Sequence, residues 1–151
     1  MKNNVLYYSV GPLLYCPANR ISITDSLINE RFGNRFSLAL CLEDTINADH
    51  VEEAEQILIS SLSQIFIQHK QKPFYLPKIF IRVRNPQQIQ RLTKALGQSI
   101  KIVTGFIVPK FSPDNAQSYI EQMILVNELV AKKLYMMPIY ESPSIIDLRN
   151  R

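Results

Sequence analysis

Lys78-Ile79-Phe80-Ile81-Arg82-Val83-Arg84-Asn85-Pro86 is the stretch whose reading decides the fold. Its first part is a short apolar run with little polar alternation, which predicts a strand buried on both faces, as in a parallel sheet covered by helices. Its end changes character. Asn85 is a good helix N-cap and Pro86 suits the first helical turn. The stripe Ile89, Leu92, Leu96 then predicts a helix, and Gly97 stops it. A strand running directly into a helix is the unit of an α/β fold.

The same unit recurs in both directions. Apolar runs of strand length lie at 12–16, 37–42, 102–108 and 135–140. Helical patterns lie between them. The clearest covers 49–69, with Asp49 as N-cap, Glu52 as its capping-box partner, and an apolar stripe of Val51, Ala54, Ile57, Leu58, Leu62, Ile65 and Phe66. Ser112-Pro113 opens a helix carrying Ala116, Tyr119, Ile120, Met123, Val126 and Val130. A weaker helix is expected at 24–31, ending near Gly33, and Ser142-Pro143 should begin a fifth. Five strand–helix units predict a parallel sheet with right-handed crossovers. The chain has only 4 glycines and no GxGxxG or GxxxxGK[ST] stretch, which argues against nucleotide folds that need a glycine loop. With no linker or low-complexity segment, residues 1–151 read as one domain.

Composition agrees. In 151 residues, 46% hydrophobic and 20% charged, there is material for a core and too little charge for a disordered chain. Cys16 and Cys41 sit in apolar stretches and form no CxxC pair, so a disulfide framework and a cysteine zinc site are not expected, and two buried thiols suit a reducing cytoplasm. The N-terminal apolar run is short, with no small-residue cleavage site, and no segment approaches the roughly 18 residues of a membrane span. The net charge of +4 is spread along the chain without an aromatic RNA-reading motif, so nucleic acid is not an expected partner. His50 and His69 lie at helix ends, where solvated roles are expected.

In a parallel barrel, functional residues gather at the C-terminal ends of the strands. Here the five runs end in Asn19-Arg20, Glu43-Asp44, Arg82-Val83-Arg84, Lys110 and Glu141. A mixed-charge rim suits a carboxylate substrate with a divalent cation. Arginine binds carboxylate as a fork, and carboxylates hold hard Mg²⁺. Arg82 stands out because it interrupts an apolar strand, where an unpaired guanidinium would be costly. It is expected to face either a ligand or a buried acid such as Glu43 or Asp44. Arg84 is placed on its face by the period of two. Asn19, Arg20, Arg82, Arg84 and Lys110 are the candidates for substrate binding.

Five short motifs, in order, resemble the citrate lyase beta-subunit family of carbon–carbon bond lyases. They are Leu14-Tyr15-Cys16-Pro17-Ala18-Asn19, Cys41-Leu42-Glu43-Asp44, Arg82-Val83-Arg84-Asn85, Pro109-Lys110 and Glu141-Ser142-Pro143. The resemblance implies a (β/α) barrel of which this chain holds about five of eight units. It also implies lyase or aldolase-type chemistry on hydroxy-acid CoA thioesters or keto acids, through a Mg²⁺-stabilised enolate. Arg82, Glu43 and Asp44 would be catalytic, with Arg82 gripping the substrate, and Glu141 would bind the metal. CoA would enter only as part of the substrate.

The sequence departs from that pattern at Cys41, where an acid is expected, and at Arg84, where an asparagine is expected. The family's second metal ligand, an aspartate on a sixth strand, has no counterpart before Arg151. The chain is therefore expected to be a fragment, or half of a complementing pair, and to form homo-oligomers or join a C-terminal segment. The alternative reading is a non-catalytic remnant or a carboxylate- or CoA-binding module.

Overall fold

A computed structural model describes residues 8–143. Five strands alternate with four α-helices: β1 (Leu13–Pro17), α1 (Ile23–Ile28), β2 (Ser37–Cys41), α2 (Val51–Gln71), β3 (Lys78–Arg82), α3 (Pro86–Leu96), β4 (Val103–Val108), α4 (Pro113–Leu129) and β5 (Tyr135–Pro138). All neighbours pair in parallel, in the order β1-β2-β3-β4-β5. An order that never reverses puts every right-handed crossover on the same side of the sheet. The helices therefore cover one face, which is the arrangement of a partial (β/α) barrel and not of a doubly wound sheet.

The core divides accordingly. Leu38, Leu40, Ile79, Ile81, Phe106 and Val108 pack with Leu58, Leu62, Ile65, Ile89, Leu92, Tyr119 and Met123 in the large helix-side cluster. The opposite face holds a smaller cluster of Ala39, Phe80 and Ile107, flanked by Leu13 and Met137. β2 is buried along its whole length, as an apolar run between two partners should be. β1 and β5 are only partly buried, contrary to the expectation of strands buried on both faces, because each forms an edge of the described sheet.

Helix starts follow local chemistry with one correction. Asn85 caps α3, its side chain accepting from the Gln88 N–H at 3.0 Å, with Pro86 in the first turn. Before α2, a 3₁₀ turn (Ala48–His50) intervenes, and Asn47, not Asp49, accepts a backbone N–H at its start. The expected Asp49–Glu52 capping box therefore does not open α2. α1 stops at Ile28, earlier than expected. The fifth helix expected after Pro143 lies outside the described residues.

Gly105 is needed for a different reason. A Cβ there would run into the Tyr135 backbone carbonyl, its register partner in β5. Only a residue without a side chain lets β4 and β5 approach this closely.

Candidate active site at the strand ends

Arg82 ends β3 opposite Cys41 of β2 and Ile107 of β4, and it is 8% exposed despite its charge. Its Nη2 lies 2.6 Å from Glu43 Oε2, 2.7 Å from Asp44 Oδ2 and 3.1 Å from Glu141 Oε1. That nitrogen has two hydrogens, and they are donated to Asp44 and Glu141. Glu43 Oε2 lies beside that charge and, among the described residues, takes part in no hydrogen bond. Three strand ends thus meet at one guanidinium.

Lys110 joins them from the end of β4. Its Nζ donates to Glu43 Oε1 at 3.0 Å, while its backbone N–H donates to Glu141 Oε1 at 3.2 Å. Its φ of +50° is rare for a residue with a side chain. Ser142 Oγ donates to the Lys110 carbonyl at 3.3 Å and ties the fifth strand end to the fourth.

The electrostatics are consistent. Burial works against the charge on Arg82, but Glu43, Asp44 and Glu141 outweigh it and raise the guanidinium pKa. The hydrogen bond to Glu43, followed by attraction to the same acids, raises Lys110. Asp44 is pushed below the usual carboxylate range, first by a hydrogen bond from Glu43 and then, against a little desolvation, by Arg82 and Lys110. Three carboxyl groups thus face two cations.

The expected site residues separate into two groups. Glu43, Asp44, Arg82, Lys110 and Glu141 come together. Asn19 and Arg20 are exposed in the turn after β1, where Arg20 Nε donates to Ser22 Oγ at 3.1 Å, and among the described residues neither bonds to this cluster. Arg84 is not carried to the site face by the strand period, because β3 ends at Arg82 and the chain bends at Arg84. Its Nη1 donates to the carbonyls of Leu42, Glu43 and Ile46.

Cys16 and Cys41 are both buried free thiols, and burial raises the pKa of Cys16. His50 pairs with Glu53 at 3.4 Å, and His69 packs edge-on against Phe74, so both stay at their helix ends. Sequence reasoning missed Tyr15. It lies close enough to Arg82, Cys41 and Glu141 for all three to influence its titration, although burial is the larger cause of its raised pKa. Alternation along β1 could have found it, since it stands one residue from the helix-side Cys16.

The order of the strands, the one-sided helices and the charged cluster at the strand ends agree with one match. Residues 4–151 match the C–C bond lyase family of the TIM-barrel fold. The chain belongs to the C–C bond lyase family. None of the curated proteins matches it. Among solved structures it is similar to protein CitE from Mycobacterium tuberculosis in complex with magnesium and acetate, with 16% identity, a TM-score of 0.49, and coverage of 91% of this chain and 47% of that one. A second structure of that protein, in complex with magnesium and pyruvate, gives 17% identity and a TM-score of 0.49 over 89% of this chain and 46% of that one. The lyase-family chain described here spans about half the length of those structures.

Among the described residues no group of three or more His, Cys, Asp or Glu is arranged to hold a metal ion. The donor chemistry nevertheless suits one. The cluster offers hard carboxylate oxygens, and among the described residues Glu141 Oε2 accepts no hydrogen bond. No helix among the described residues is long and apolar enough to cross a membrane.

Proposed function

We propose that this chain carries the carboxylate-gripping part of a carbon–carbon bond lyase or aldolase-type site, acting on keto acids or on CoA thioesters of hydroxy acids. One observation carries the reading. Arg82 Nε is buried and, among the described residues, has no acceptor, although Nη2 of the same guanidinium is saturated by acids. A buried charged donor left unpaired is costly, and a ligand carboxylate or carbonyl oxygen would satisfy it. The residues divide the work. Arg82 binds and orients the substrate oxygen. Lys110 and Arg82 hold Glu43 beside it, and Asp44 stays ionised at the rim. Glu141 is the residue for Mg²⁺, which when bound would polarise a substrate carbonyl.

The test is calorimetric titration of the 151-residue chain with pyruvate in the presence of Mg²⁺. Wild type should bind. Arg82→Lys should remain folded and lose affinity at least tenfold, because lysine keeps the charge without the planar fork. Equal affinity in the two proteins would overturn the assignment of Arg82.

A second reading is a carboxylate- or CoA-binding module that needs no metal. It is favoured by the closure of all three carboxylates onto Arg82. Pyruvate affinity unaltered by removing Mg²⁺ would select it.

A further inference from the structure

The segment 42–46 carries Glu43 and Asp44 but belongs to no helix or strand. Its own hydrogen bonds are few. The Leu42 N–H donates to the Arg82 carbonyl at 2.9 Å, the Ile46 N–H to the Glu43 carbonyl at 3.2 Å, and Thr45 Oγ1 to the Cys41 carbonyl at 3.2 Å. Arg84 supplies what is missing. Its Nη1 reaches the carbonyls of Leu42 at 3.1 Å, Glu43 at 3.0 Å and Ile46 at 2.8 Å. Two hydrogens serve three acceptors at the two ends of the turn, so one nitrogen pins the backbone on both sides of Asp44.

Arg84 is itself held. Its backbone N–H donates to Gln88 Oε1 at 2.7 Å. Gln88 is wholly buried and donates through Nε2 to Glu55 Oε1 at 2.5 Å, and Glu55 pairs with Arg91. A polar chain therefore runs from the contact of α2 with α3, through Arg84, to the turn that presents two acids to Arg82.

We propose that Arg84 is a positioning residue that locks the 42–46 turn and so holds Glu43 and Asp44 against Arg82, instead of binding substrate itself. The proposal deepens the function read above and rests on it only for its effect on ligand binding. A planar guanidinium can serve several carbonyls at once. A lysine ammonium has the charge but not the fixed fork.

The test uses the 151-residue chain with Arg84→Met and Arg84→Lys. Amide hydrogen exchange reports the Ile46 N–H, the ¹⁵N-resolved Arg82 Nε–H signal reports the acids around that guanidinium, and pyruvate titration with Mg²⁺ reports binding. In Arg84→Met, exchange at Ile46 should rise at least about tenfold, the size expected for losing charge-assisted hydrogen bonds, while α3 amides keep their protection. The Arg82 signal should shift and pyruvate affinity should fall. Arg84→Lys should be intermediate in all three, and it serves as the test if Arg84→Met fails to fold. Unchanged Ile46 exchange and an unchanged Arg82 signal in a cooperatively melting variant would overturn the proposal. Loss of pyruvate binding with both signals unchanged would do so too, and would return Arg84 to the substrate. If the wild-type chain binds no pyruvate, the proposed function fails, while the Ile46 and Arg82 readouts still decide the role of Arg84.

Discussion

Arg82 holds three carboxylates from a nearly buried side chain, so its removal is felt mainly through the acids it leaves behind. Glu43 is the critical one, its side chain 10% exposed, whereas that of Asp44 is 57% exposed and can turn to water. Arg82→Met should destabilise the chain by about 3 kcal/mol, the lower end of what breaking a buried pair costs, read as a drop in the urea midpoint. Asp44 gives the pH dependence. Its folded pKa is depressed below 3.8, so the unfolded chain takes up its proton first as the pH falls. The stability it confers is complete well above pH 3.8 and is lost as the pH falls through the depressed value. Wild type should therefore exceed Asp44→Asn in urea midpoint at neutral pH, and the two should converge in acid. Parallel curves across that range would show that Glu43, Arg82 and Lys110 together add nothing to Asp44 in the folded state. Arg82 was legible as a charge inside an apolar strand, and its acids as the ends of neighbouring runs. The role of Arg84 was not, because periodicity gives a face only while the strand lasts, and β3 stops before it.

Elements were legible where they are strongly patterned. The α3 stripe of Ile89, Leu92 and Leu96 is buried as expected, and Asn85 caps the helix. α4 shows the limit of such patterns, since Ile120 belongs to the expected stripe but is 44% exposed. Glu55 shows it in reverse, for this acid on the core side of α2 is buried because α3 supplies Gln88 and Arg91. Gly105 gives the sharpest prediction at this scale. Gly105→Ala must separate β4 from β5, because backbone cannot yield as a flexible side chain can. The loss should reach or exceed the roughly 1–3 kcal/mol of ordinary overpacking. Amide exchange should quicken first in β5, whose parallel pairing with β4 runs through Gly105. Intact protection at Met136 and Met137 in that variant would show that the strands can part without cost.

At the scale of the molecule, the described sheet is open at β1 and β5. Beyond β4, Ile120, Ile124, Leu125 and Leu129 of α4 are 41–58% exposed. Unpaired edges and apolar helix surface together favour association. Light scattering of the purified chain should give a mass that is a multiple of 17.4 kDa and falls on dilution. A single 17.4 kDa species with a cooperative melt would show that these surfaces are tolerated in water.

By itself the sequence determined the strand–helix alternation, the parallel sheet and the charged character of the strand ends, because burial periodicity, caps and turn residues act within a few neighbours along the chain. Only the tertiary structure decided which charges meet. Glu43, Arg82, Lys110 and Glu141 come from four different strand ends, and their convergence depends on sheet register, as does the close approach that excludes a side chain at Gly105. The physical reason is range. A hydrogen bond or ion pair is settled within about 3 Å, and the placement of residues tens of positions apart to that tolerance is a property of packing, which no local pattern encodes.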